Sequence, residues 1–126
     1  MRLVLDAGAL VALGRNERAM WLRLKAALLA REEPVCHGGV VGQVWRAHGP
    51  RQAALARALA GLEIRSLDLS LGRAAGELLG RAKRSDVVDA ALVLLAEDGD
   101  QIVTSDPEDL AQLARTAGLE VEILTA

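Results

Sequence analysis

Short apolar runs alternate along the chain with longer stretches whose apolar residues recur at three- and four-residue spacing. This is the pattern of buried strands interleaved with amphipathic helices. Arg2–Asp6 (RLVLD) reads as a short buried strand, and the apolar Ala7–Leu13 begins a helix. Asn16 is placed to cap a helix from Glu17 to about Arg31, with Met20, Leu24, Ala27 and Leu28 along one face. Pro34–His37 (PVCH) is a second strand. Gly38–His48 is a helix with Val41, Val44 and Trp45 on its apolar face, broken by Gly49-Pro50. Arg51–Ala60 is helical, and Leu62–Leu67 (LEIRSL) alternates as a strand does. Ser70 caps a helix to about Lys83, and Ser85 caps the next, Asp86–Ala96. After the Asp98-Gly99-Asp100 turn come a strand at Gln101–Thr104 and a helix from Pro107 to about Arg115. Gly118 ends that helix, and Glu120–Leu124 is the last strand.

Strands alternating with helices predict an α/β protein, a three-layer α/β/α sandwich around a parallel sheet of about four to five strands. No linker, repeat or low-complexity segment divides residues 1–126, so they form one domain. Open parallel sheets bind ligands at the carboxyl ends of their strands, which sorts the polar residues by position.

Composition narrows the chemistry. The apolar share is 52%, enough for a real core, and 25% of residues are charged. No apolar run approaches the roughly 20 residues of a membrane span. The start lacks the pattern of a secretory leader, so the expected location is the cytoplasm. One cysteine, Cys36, excludes an internal disulfide and a cysteine-cluster zinc site, and two histidines, His37 and His48, are too few for a histidine site. Oxygen ligands remain as the way to hold a metal. The charge is also uneven. Thirteen Lys and Arg face six Asp and Glu between Arg15 and Arg84, whereas one Arg faces ten acids from Ser85 onward. A cationic surface beside an acidic pocket suits a polyanion docked on a cation-loaded site.

Asp6 ends the first strand, and Asp106 follows the QIVTS strand at a helix start. Asp86 and Asp89 lie three residues apart, on one face of one helix. Asp89 stands among Val87, Val88, Ala90, Ala91 and Leu92, which predicts partial burial. Carboxylates converging in a low-dielectric cleft repel one another. Mg²⁺ answers that repulsion with oxygen ligands, and a hard-cation phosphodiesterase is the chemistry that fits. Simpler readings stand beside this one. Asp86 and Asp109 suit first-turn positions favoured by the helix dipole, and Asp106 serves equally as an N-cap or a ligand. Asp6, at a strand end among apolar residues, has no local cap to make.

Four stretches in order carry a resemblance: LVLDAGALVAL, VVGQVWRA, SDVVDAALVLLA and IVTSDPEDL. Over its whole length the chain resembles the PIN-domain ribonucleases, and within them the VapC-like toxins of bacterial toxin–antitoxin pairs. The resemblance implies Mg²⁺- or Mn²⁺-dependent endonucleolytic cleavage of RNA, often tRNA or rRNA. It also implies a VapB-like antitoxin whose tail covers the acidic groove. By matching positions it makes Asp6, Asp86 and Asp106 the metal-binding acids, with Asp89 an additional or alternative acid. Thr104 and Ser105 become polar supports of the site. One position departs. Where the family pattern reads Glu-x-x-Arg, this chain reads Gln43-Val44-Trp45-Arg46. Gln43 can offer a carbonyl oxygen but no charge, so a second reading is a PIN-fold module that binds RNA or a partner without cutting. Arg46 is placed on the same helix face as Gln43, either near acids and phosphate or facing solvent. Trp21 and Trp45 are read as packing residues, and apolar helices with few aromatics suggest a homodimer. Cys36, His37 and His48 are read as doing no chemistry.

Other phosphoryl-transfer classes are excluded by missing residues. A haloacid-dehalogenase-type phosphatase needs a second acid two positions after the first, where Gly8 stands. A receiver domain needs a late lysine, and none follows Lys83. The P-loop motif is absent.

Overall fold

The computed structural model describes residues 1–126. Five strands form one parallel sheet: β1 (Leu3–Leu5), β2 (Val35–His37), β3 (Glu63–Arg65), β4 (Gln101–Thr104) and β5 (Glu122–Thr125), in the order β3-β2-β1-β4-β5. Seven helices connect them: α1 (Ala7–Gly14), α2 (Arg18–Leu29), α3 (Gly38–Val44), α4 (Gln52–Ala60), α5 (Leu69–Ala82), α6 (Val87–Val93) and α7 (Pro107–Ala117). The chain steps outward from β1 to β3, then returns across β1 to β4 and on to β5. Right-handed crossovers therefore set α1–α4 on one face and α5–α7 on the other. Helix contacts divide the same way: α1 touches α2, α3 and α4, while α5, α6 and α7 touch one another.

Covering both faces explains why the central strands are apolar without alternation. Val4, Leu5, Val35, Cys36, Ile102 and Val103 are fully buried. Alanines at helix interfaces (Ala9, Ala58, Ala75, Ala90, Ala91), also fully buried, let the helices approach closely. The two outer strands carry charge at Glu63, Arg65 and Glu122, which suits edges exposed to other chains.

Several helix ends differ from the sequence expectation. Asn16 adopts φ +57° and terminates α1 instead of opening α2. Its N–H donates to Leu13 O and that of Glu17 to Ala12 O, the paired bonds of a Schellman motif. Asparagine tolerates the left-handed conformation better than other residues with a side chain, which is why it serves there. Glu17 takes the α2 N-cap position without a side-chain cap. Asp68, not Ser70, caps α5 through Leu71 N at 2.9 Å. Asp86, not Ser85, caps α6. The helix expected over Gly38–His48 stops at Val44, since three glycines and three valines in seven residues give it little intrinsic stability. No helix is long and apolar enough to cross a membrane.

The Asn16 conformation predicts that Asn16→Gly holds or raises the melting temperature, whereas Asn16→Ser, an equally good N-cap residue, costs about 1 kcal/mol in a urea titration.

Candidate active site at the carboxyl edge of the sheet

The strand order changes direction between β1 and β4, and open α/β sheets form their ligand crevice at such a switch point. Leu5 pairs with Val103, so Asp6, just past the end of β1, lies beside Thr104, the last residue of β4. Asp6 is 4% exposed. It does make a local cap, contrary to the sequence expectation: Oδ1 accepts from Ala7 N at 2.7 Å, at the start of α1. Its Oδ2 accepts from the fully buried Thr104 hydroxyl at 2.7 Å. Thr104 Oγ1 in turn accepts from Asp106 N at 2.9 Å. One hydroxyl thus fixes both the first acid and the backbone of the third.

Close approach of α1 to the loop after β4 depends on Gly8. A Cβ there would lie 2.8 Å from Ser105 Oγ and 3.0 Å from Ser105 N. The small residues after Asp6 therefore make room for the neighbouring loop. Ser105 and Asp106 themselves are exposed. Asp106 occupies the N-cap position of α7, yet its carboxylate makes no capping hydrogen bond. The cap reading left open by the sequence is thus unfilled, and the carboxylate is uncommitted. A shallow cavity of about 330 Å³ is lined by Ser105, Asp106, Pro107, Glu108 and Asp109.

Asp86 and Asp89 differ in kind. Asp86 is exposed, and its Oδ1 accepts from Asp89 N at 3.1 Å to cap α6. Asp89 is half-buried in the first turn of the same helix. Burial, followed by the charges of Asp6, Asp86, Asp106 and Asp109, pushes its carboxyl from 3.8 up to about 7. The four sequence-nominated acids therefore share one electrostatic neighbourhood. Asp109 forms an ion pair with Arg84 Nη1 at 3.0 Å. No three His, Cys, Asp or Glu side chains are arranged to hold one metal ion among themselves. Water-mediated binding through one or two carboxylates is the usual Mg²⁺ arrangement, and the donor set of carboxylates and hydroxyls is of the oxygen type that hard cations select.

Gln43 and Arg46 lie apart from this cluster in character. Gln43 is exposed on the last turn of α3 and borders a cavity of about 210 Å³ with Leu10, Val11, Arg46, Arg51 and Gln52, a lining without a carboxylate. Arg46 lies beyond the end of α3, so it does not share a helix face with Gln43. Its guanidinium donates to the carbonyls of Gly42 (3.2 Å), Gln43 (3.2 Å) and Trp45 (2.7 Å). The early end of the helix leaves those carbonyls without partners, and Arg46 satisfies them.

Of the residues read as inert, Cys36 is buried, and loss of hydration pushes its thiol up to about 12. Trp21 donates from Nε1 to Leu13 O at 3.0 Å and packs against the core, while Trp45 is 39% exposed. His37 has a larger structural part than the sequence suggested, bridging α3 and α6. The signal was a histidine ending a strand directly before Gly38-Gly39.

No family model and no curated protein matches the chain. Among solved structures, the VapBC2 of Rickettsia felis, bound to a DNA fragment from their promoter, is similar: TM-score 0.69 at 17% sequence identity, covering 98% of this chain and 98% of that one. This chain has a PIN-like fold. That agreement covers the α/β class and the parallel sheet, which has five strands where the hydropathy pattern led to an expectation of about four to five.

Two predictions follow from the site geometry. Thr104→Val removes the hydroxyl from the buried Asp6 carboxylate and costs about 1–3 kcal/mol of unfolding free energy, most of it restored by Thr104→Ser. Because the folded state holds the Asp89 proton more tightly than the unfolded chain does, stability falls as pH rises from about 4 to about 7. Asp89→Asn therefore stabilises the metal-free protein at about pH 8, by roughly 1–2 kcal/mol after allowing for solvent screening, and has little effect near pH 4. Urea titrations in chelator at both pH values read this directly.

Proposed function

We propose that the protein is a metal-dependent endoribonuclease of the VapC-like toxin type. The observation that carries the reading is the gathering of Asp6, Asp86, Asp89 and Asp106 at the sheet's switch point, with Asp89 raised to about 7 by burial and then by the neighbouring acids. One or two carboxylates among Asp6, Asp89 and Asp106 would hold Mg²⁺ or Mn²⁺ directly and the others through water, and Asp86 adds negative potential while capping α6. Bound there, the cation supplies charge stabilisation at phosphorus and a more acidic water. A cation bound there would offset the negative charges that, with burial, raise Asp89. Thr104 keeps Asp6 oriented, and Ser105 and Asp106 line the open side where a phosphodiester would approach. The basic residues between Arg15 and Arg84 favour a polyanionic substrate, with tRNA or rRNA as its class.

A cognate VapB-like antitoxin is the proposed partner, on the strength of the fold shared with the VapBC2 structure. An arginine from an antitoxin tail would pair with the same carboxylates. Exposed Leu22, Leu28 and Leu29 on α2 and Leu69 on α5 are among the apolar side chains available to a homodimer. Cytoplasmic action follows from this substrate and partner.

Gln43 favours a second reading, a PIN-fold module that binds RNA without cutting it. Its amide brings no charge, and its cavity contains no acid. One assay separates the two. With Mn²⁺ and total tRNA, the nuclease reading expects cleavage products that Asp6→Ala and Asp89→Asn abolish. Retained binding with no cleavage by the wild type supports the module. Equal cutting by wild type and Asp6→Ala overturns the proposed site. If Gln43 borders the ion's surroundings, Gln43→Glu strengthens Mn²⁺ binding by calorimetry; an unchanged affinity places it outside.

A further inference from the structure

His37 is wholly buried, at the end of β2 and the N-cap of α3. Both ring nitrogens are used. Nδ1 accepts from Gly39 N at 3.0 Å, and Nε2 donates to Val88 O at 2.9 Å, which fixes the neutral tautomer with its proton on Nε2. The usual N-cap residues, Ser, Thr, Asp and Asn, satisfy a helix's first amides with a short side chain. The imidazole does that and also reaches a second helix. Gly39 makes the ring's place: a Cβ there would lie 2.9 Å from Cε1 and 3.1 Å from Nδ1.

Val88 immediately precedes Asp89. The helix that carries both is only seven residues long and is too short to hold its shape or position by local bonding. The bond from His37 is the one side-chain hydrogen bond between α6 and the sheet; the other in that segment, Asp86 to Asp89 N, is internal. β2 lies beside β1, so the bond is anchored next to the strand that delivers Asp6.

We propose that His37 is a positioning residue for the acidic cluster: through the Val88 carbonyl it sets the placement of Asp89 relative to Asp6. The inference rests on the reading of Asp89 as an ion-holding acid given above. It separates His37 from an ordinary core histidine, whose loss would lower stability alone.

Two conservative variants divide the ring's tasks. His37→Asn presents an oxygen near the Nδ1 position and retains the α3 cap, but it is too short to reach Val88. His37→Gln reaches toward Val88 with an amide N–H and gives up the cap. Three measurements are made on each: melting temperature, backbone amide shifts of Val88–Ala91 in the metal-free protein, and Mn²⁺ affinity by calorimetry. The expected result is that His37→Asn moves the Asp89 and Ala90 amides and weakens Mn²⁺ binding about tenfold, while His37→Gln stays within about twofold of wild type. The proposal is overturned if His37→Asn leaves both readouts unchanged. Equal losses in the two variants that track only their melting temperatures also overturn it. Gly39→Ala, which crowds the ring without removing it, provides the same readouts should a His37 variant fail to fold. Asp89→Asn is titrated in parallel. If it binds Mn²⁺ as wild type does, the ion-holding role of Asp89 fails, while the amide shifts still decide whether His37 places α6.

Discussion

The hydrogen bond between Thr104 and Asp6 joins the ends of the two strands that flank the sheet's reversal. Everything at the carboxyl edge is arranged around it. A nearly buried carboxylate is tolerated only when its oxygens have donors, and Asp6 takes one from the start of α1 and one from the end of β4. Because the same hydroxyl also accepts from Asp106 N, the turn into α7 is tied to the same point. Gly8 completes the junction by letting α1 lie against Ser105. An acid that looked like an interruption of an apolar run is thus the tie between two crossovers.

A second buried aspartate shows what makes this edge different. Asp100 lies at the opposite end of β4, 6% exposed, and its oxygens accept from Arg2 N at 2.9 Å and Glu97 N at 2.8 Å. Fixed amide dipoles satisfy both of its oxygens in place. Among the acids at the carboxyl edge, only Asp6 has donors to both carboxylate oxygens. Burial first, and then the neighbouring negative charges, hold the half-buried Asp89 carboxyl toward its neutral form. Such frustration is common where a fold keeps a site ready for a ligand that relieves it.

The two sides of the site are built differently. Asp6 and Asp106 are held from the sheet and its following turns, whereas Asp89 depends on a seven-residue helix. α3 is equally short and ends early, with Arg46 closing its carbonyls. His37 begins that helix and touches the other, so the less regular half of the edge is joined through one imidazole.

The hydropathy pattern by itself determined the class of fold, the alternation of strands and helices, and the strand ends at which Asp6 and Asp106 stand. It could do so because continuous apolar runs such as LVL and IVT are stable only when covered on both faces, which demands a parallel sheet between helices. Apolar surroundings singled out Asp6 and Asp89, while Asp86 and Asp106 stood out by position, at a helix start and after a strand. Local capping was less legible: Asn16, Ser70 and Ser85 all suit a helix start, and the choice among neighbours one or two residues apart depends on backbone angles fixed by packing. Only the tertiary structure could decide that Asp86 caps while Asp89 bears the shared field, or that Arg46 turns back on its own helix. The bond from His37 to Val88 was equally hidden, because it joins residues fifty-one positions apart. Periodicity reports which face of an element is covered; it carries no information about which two distant elements meet there.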